Sequence, residues 1–86
     1  LSPTEQDEIR QLYAWLNTTT FNVDEATHKV YDIPRCGQML ESELIVVQRR
    51  FFQIIYNLLF GAERGPRLGT FFAAVPKERY LDLLRF

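Results

Sequence analysis

The sequence predicts an all-α protein, a compact bundle of about five helices. Three observations carry this. Apolar residues recur three and four apart along each long segment, the mark of a helix with one buried face. Two capping boxes announce helix starts. No segment alternates apolar and polar residues as a half-buried strand does. With 86 residues, 47% of them hydrophobic and 14% aromatic, the chain has material for one core and is expected to form a single helical domain over residues 1–86.

The first helix is read from SPTEQDEIRQLYAWLN. Ser2 is a cap, Pro3 fits the first helical position, and Glu5 completes a capping box. Ile9, Leu12, Tyr13 and Leu16 make its apolar face, with Trp15 off the centre of that stripe. The run Asn17-Thr18-Thr19-Thr20 ends it. In FNVDEATHKVYDIP, Asn22 and Glu25 make a second box, and Phe21 is placed to staple against Ala26. Val23, Ala26, Val30 and Ile33 share one face, and Pro34 stops the helix near Ile33.

The third helix runs from about Glu41 to Phe60. Leu44, Val47, Phe51, Ile54, Ile55, Leu58 and Leu59 form its main face. Ile45, Val46, Phe52 and Tyr56 extend that face around the cylinder, leaving Arg49, Gln53 and Asn57 as a narrow wet stripe. A helix so apolar is expected at the centre, packed on several sides. Gly61 is its left-handed cap. The stretch GAERGPRLG then reads as a corner: Gly61 closes one helix, Gly65 and Pro66 turn the chain, Pro66 opens the next helix, and Gly69 allows close approach to a neighbour. Leu68, Phe71, Phe72 and Val75 supply the fourth helix with a buried face. A last helix starts at Pro76, with Tyr80, Leu81, Leu84 and Phe86 pointing inward.

The net charge of −1 hides an asymmetry, since residues 1–48 carry three basic and eight acidic side chains, and residues 49–86 seven and three. One face could therefore meet a polyanion. The single cysteine, Cys36, excludes a disulfide framework within the chain and fits a reducing, cytoplasmic setting. It reads as a small connector residue. The most apolar run, FFQIIYNLLF, has ten residues and is too short to span a membrane. The chain opens on Leu1 rather than Met, directly before a helix-start pattern, and is read as a piece of a longer protein.

Catalytic chemistry is not legible. His28, the only histidine, falls on the outer side of the second helix and has no ligand partner at metal spacing, so neither a catalytic residue nor a metal site is assigned. The glycine corner is not a phosphate loop, because Pro66 removes an N–H that would face phosphate and no Lys-Ser/Thr follows.

The run FFQIIYNLLFGAERGPRLGTFFAAVPKERYLDLL resembles the C-terminal end of class I lysyl-tRNA synthetases, as does DEATHKVYDIPR upstream. The matching pieces are Tyr56, Leu59, Gly61, Gly65, Pro66, Arg67, Gly69 and a terminal helix over Glu78–Leu84, and the resemblance covers about residues 22–86. The connector from Pro34 to Glu43 is longer than in that family, and the catalytic signatures of the class are missing. The resemblance implies an anticodon-binding-domain-like fold and a C-terminal fragment that meets the anticodon region of tRNA. It implies a catalytic domain elsewhere in the parent chain. ATP would be used by that parent, an ATP-dependent lysine–tRNA ligase, with no cofactor, catalysis or membrane contact in this fragment.

Phosphate contact by Arg and Lys supplies most RNA affinity. The candidates here are Arg49, Arg50, Arg64, Arg67, Lys77 and Arg79, expected to gather near one end if the corner folds the last helices back. Trp15, Tyr13 and Tyr31 are candidates to stack on unpaired bases. A helical protein–protein module without an RNA role is the competing reading, favoured by the acidic first half and the many aromatics.

Overall fold

In the computed structural model, residues 2–35 and 37–85 are described, and the expectations for Cys36 and Phe86 lie outside them. The chain folds into α1 (Pro3–Thr18), α2 (Val23–Asp32), α3 (Glu41–Phe60) and α4 (Leu68–Ala74), followed by two 3-10 turns at Lys77–Arg79 and Leu81–Leu84. No strand occurs among the described residues.

Both capping boxes form. The Ser2 hydroxyl accepts from the Glu5 N–H at 3.1 Å while the Glu5 carboxylate accepts from the Ser2 N–H at 2.9 Å. Asn22 and Glu25 reciprocate in the same way at the start of α2. Each pair satisfies N–H groups that a helix start otherwise leaves open. At the far end of α3, Gly61 takes φ 65° and ψ 27°, the left-handed cap that glycine adopts without a Cβ penalty.

One apolar cluster holds the elements together. Ile9, Leu12 and Leu16 of α1 meet Ala26 and Val30 of α2, Ile33 just after it, and Phe51, Ile54 and Ile55 of α3, with Leu68, Phe72, Tyr80 and Leu84 closing the core. The tightest crossing is α2 on α4. It depends on Gly69, where a Cβ would fall onto the Thr27 hydroxyl and 2.9 Å from the Val23 carbonyl oxygen.

Several expectations are corrected. The last helix is not an α-helix: Tyr80 N–H bonds to the Lys77 carbonyl and Leu83 N–H to that of Tyr80, closing tighter i→i+3 turns. The cause is tertiary. Tyr80 is fully buried against Phe71 and Phe72, and its phenol donates to the Phe72 carbonyl oxygen at 3.3 Å. That anchor bends the chain at Tyr80 (φ −125°, ψ −20°) and overrides the helical pattern. Among the described residues the bundle therefore has four α-helices and two 3-10 turns rather than five helices.

Pro66 does not open α4. Arg67 is the cap and Leu68 the first helical residue, while the Pro66 carbonyl is taken up by the Tyr56 phenol at 3.0 Å. Nor is α3 covered on all sides. Its C-terminal half supplies the buried residues, but Ile45 is 48% exposed and Val46 65%, because the first turns of this long helix project beyond the core. Val23 also faces outward, and Phe21 stacks on Trp15 at 4.8 Å between ring centres.

Candidate nucleic-acid interface

Where α2 and α3 cross beside the corner, the aromatic rings Tyr31, Phe52 and Tyr56 wall two adjoining clefts. The first encloses about 680 Å³ and carries Arg49, Arg64 and Gln53 on its rim. The second, on the α4 side, carries Arg67 and Thr70. Glu63 on one side and Asp24 on the other limit the positive charge.

Each wall is held from behind. Gln48 on α3 donates its amide to the Tyr31 carbonyl at 2.8 Å, which satisfies one of the open acceptors at the end of α2 and fixes the helix crossing. The Tyr31 and Phe52 rings lie 5.0 Å apart and tilted, within the range of favourable aromatic pairs. Tyr56 runs under the corner. Its phenol reaches Pro66, burial pushes its ionisation up, and its ring and that of Phe60 close to 3.0 Å of the position a Gly65 Cβ would take. A side chain at Gly65 would make these two rings give way by a few tenths of an ångström.

The six predicted cations divide. Arg49, Arg64 and Arg67 converge on the paired clefts, and none makes a side-chain hydrogen bond or ion pair among the described residues. Arg50 is engaged: its Nε sits 2.7 Å from Glu5 Oε2 and ties α3 to the start of α1. That hydrogen bond, with the Ser2 N–H second, holds the Glu5 carboxyl down to about 2. Lys77 Nζ donates to the Thr19 carbonyl at 3.2 Å, beside the end of α1, and lies over the Phe21 ring. Arg79 is exposed on the first 3-10 turn and lines neither cleft.

The stacking candidates also divide. Trp15 is half-buried on Phe21 beside a depression lined by Asp24, Glu25 and Asp32 against the one cation Lys29, with His28 alongside, so carboxylates outnumber cations there. Tyr13 is occupied by Arg85, whose guanidinium donates to its phenol at 3.3 Å. Tyr31 alone of the three stands in the cationic groove, 47% exposed. Phe52 and Gln48 were not anticipated. Phe52 is indistinguishable by spacing from core aromatics, and the role of Gln48 depends on a partner 17 residues away. His28 is exposed. No cluster of three or more metal-ligating side chains occurs among the described residues, and no helix among them is long and apolar enough to cross a membrane.

Fold and groove together define a small helical domain with an aromatic, arginine-rimmed cleft. The chain is similar to the lysine–tRNA ligase of Streptomyces coelicolor, with 36% identity over 73 residues, 74% of this chain and 13% of that protein. It is similar to the Methanopyrus kandleri lysine–tRNA ligase at 30% identity, with 99% of this chain and 14% of that protein aligned. The lysine–tRNA ligase of Thermococcus kodakarensis is 27% identical, over 99% of this chain and 15% of that protein. The chain thus spans about one seventh of the length of these relatives. No family model matches it, and no solved structure is significantly similar.

Proposed function

We propose that this chain is a helical, tRNA-contacting part of a class I lysine–tRNA ligase, drawn from its C-terminal region, and that it receives the anticodon part of the tRNA. The observation that carries this reading is the convergence, on two adjoining aromatic clefts, of three arginines that make no side-chain hydrogen bond or ion pair among the described residues, in a chain similar to lysine–tRNA ligases. Guanidinium groups without internal partners are free to meet phosphate, and exposed rings beside them suit unstacked bases. Lysine activation with ATP belongs to the longer cytoplasmic protein, whose catalytic domain this part would accompany.

The test is titration of the chain with lysine tRNA across a range of salt. Three phosphate contacts give a slope of log K against log salt of about −2 to −3. Arg64→Ala and Arg67→Ala should each lower that slope by about one while leaving the melting temperature unchanged. A salt-independent affinity, or one indifferent to both substitutions, refutes the reading.

The competing protein-module reading rests on the exposed start of α3, where Leu40 (68% exposed) joins Ile45 and Val46. It expects self-association in sedimentation, reversed by Val46→Glu, and no salt-sensitive tRNA binding.

A further inference from the structure

We infer that Tyr31 is the stacking platform for one unstacked RNA base, with the flanking phosphates reaching Arg64 on one side of the ring and Arg67 on the other. The inference deepens the tRNA-contact reading and rests on it.

A platform needs a ring that is accessible, held in place, and close to cations that can hold the backbone. Phe51, Phe72 and Tyr80 are buried in the core. Phe52 and Tyr56 also line both clefts but are less exposed than Tyr31, and the Tyr56 phenol is bonded to Pro66. Trp15 is stacked on Phe21 in acidic surroundings, and Tyr13 is taken by Arg85. Phe60 is 40% exposed, but it packs edge-on against Phe71 and lies under Gly65. Tyr31 satisfies all three requirements. It is half exposed, it is backed by Phe52, and its main chain is pinned by the Gln48 amide.

Tyr31 also lines both clefts, one holding Arg49 and Arg64 and the other Arg67. A strand laid across this ring would bring successive phosphates toward the arginines of the two clefts. A double helix cannot do this, because its bases are stacked on one another and unavailable to the ring. The occupant is therefore single-stranded RNA such as a loop. The phenol oxygen of Tyr31 makes no hydrogen bond among the described residues, so Tyr31→Phe separates what the hydroxyl contributes from what the ring contributes.

The experiment compares binding of three probes to the intact chain: lysine tRNA, a stem-loop carrying its anticodon arm, and a blunt RNA duplex of equal length. The stem-loop should bind nearly as well as the tRNA, and the duplex distinctly less. Tyr31→Phe should retain stem-loop affinity. Tyr31→Leu should weaken it by roughly 5- to 150-fold, the span of base–aromatic stacking, with the salt slope unchanged. A second measurement needs no variant: a fluorescent adenine analogue placed in turn at each loop position should be quenched by the wild-type chain at one or two positions. If Tyr31→Leu binds like wild type and no loop position is quenched, the platform is wrong even though arginine-dependent tRNA binding survives. If no probe binds with a salt-sensitive affinity, the tRNA reading itself falls and takes the platform with it.

Discussion

Replacing Gly69 by alanine should damage the fold out of proportion to one methyl group. In an exposed helix the change would be favourable by about 1 kcal/mol, because alanine loses less backbone freedom. Here the new Cβ would lie 2.9 Å from the Val23 carbonyl oxygen and 3.1 Å from Thr27 Cβ, and on top of the Thr27 hydroxyl. The hydroxyl can turn away only by giving up its 2.8 Å bond to the Val23 carbonyl, a loss of about 0.5–1.5 kcal/mol. The carbonyl cannot turn at all, since it belongs to the first turn of α2. The α2–α4 crossing must open by several tenths of an ångström, and overpacking of this kind costs about 1–3 kcal/mol. With a backbone atom as the obstacle the upper end applies, so the net destabilisation is about 2–3 kcal/mol. For a domain of this size that lowers the melting temperature by about 10–20 °C in far-ultraviolet circular dichroism. Thr27→Ala in the same chain removes the hydroxyl but leaves Val23, so the double variant should recover only part of the loss. A Gly69→Ala protein that melts at or above wild type refutes the close-approach argument.

Acid should loosen the α1–α3 link. The folded Glu5 carboxyl titrates at about 2 instead of 4.5, so its contribution is complete above pH 4.5 and drains away as pH falls toward 2. Glu8 acts in the opposite sense, because burial and the Glu5 charge raise its ionisation. Glu5→Gln keeps the acceptor for the Ser2 N–H and removes the charge, so its melting temperature should fall less steeply than wild type over this window; equal slopes would discredit the pair. Gly61→Ala has open space around the new Cβ, and its cost is only that of the left-handed backbone, about 1–2 kcal/mol. A fall of about 4–15 °C in melting temperature should follow, and no fall would show that the cap relaxes freely.

Local signals in the sequence were reliable where the cause of the structure is local. Ser2, Glu5, Asn22 and Glu25 set helix starts through partners three residues away, and the left-handed cap at Gly61 needs only a missing Cβ. The apolar faces of α1 and α2 were equally legible, Val23 excepted, because periodicity is a property of one segment. Tertiary causes were hidden. Nothing near Tyr80 announces that its phenol will bond Phe72 and break the last helix into turns. The length of α3 gave no sign that its first turns outrun the core. The groove combines both kinds of cause: its arginines could be picked out by charge, but the loss of Arg50 to Glu5 and the arrival of Tyr31 beside Phe52 depend on how α2 and α3 cross.

The bond from Tyr56 to Pro66 has a consequence for the energetics of recognition. Residues 61–67 are all exposed, and a free segment of that length would have to be stilled each time a ligand arrived. The phenol and the two rings beneath Gly65 hold it in place as the protein folds. Arg64 and Arg67 are thus carried on a segment whose main chain is already ordered, so only their side chains remain to be immobilised on binding. Two rings in the last turns of α3, Tyr56 and Phe60, thereby tie down a seven-residue excursion at Gly65 and Pro66.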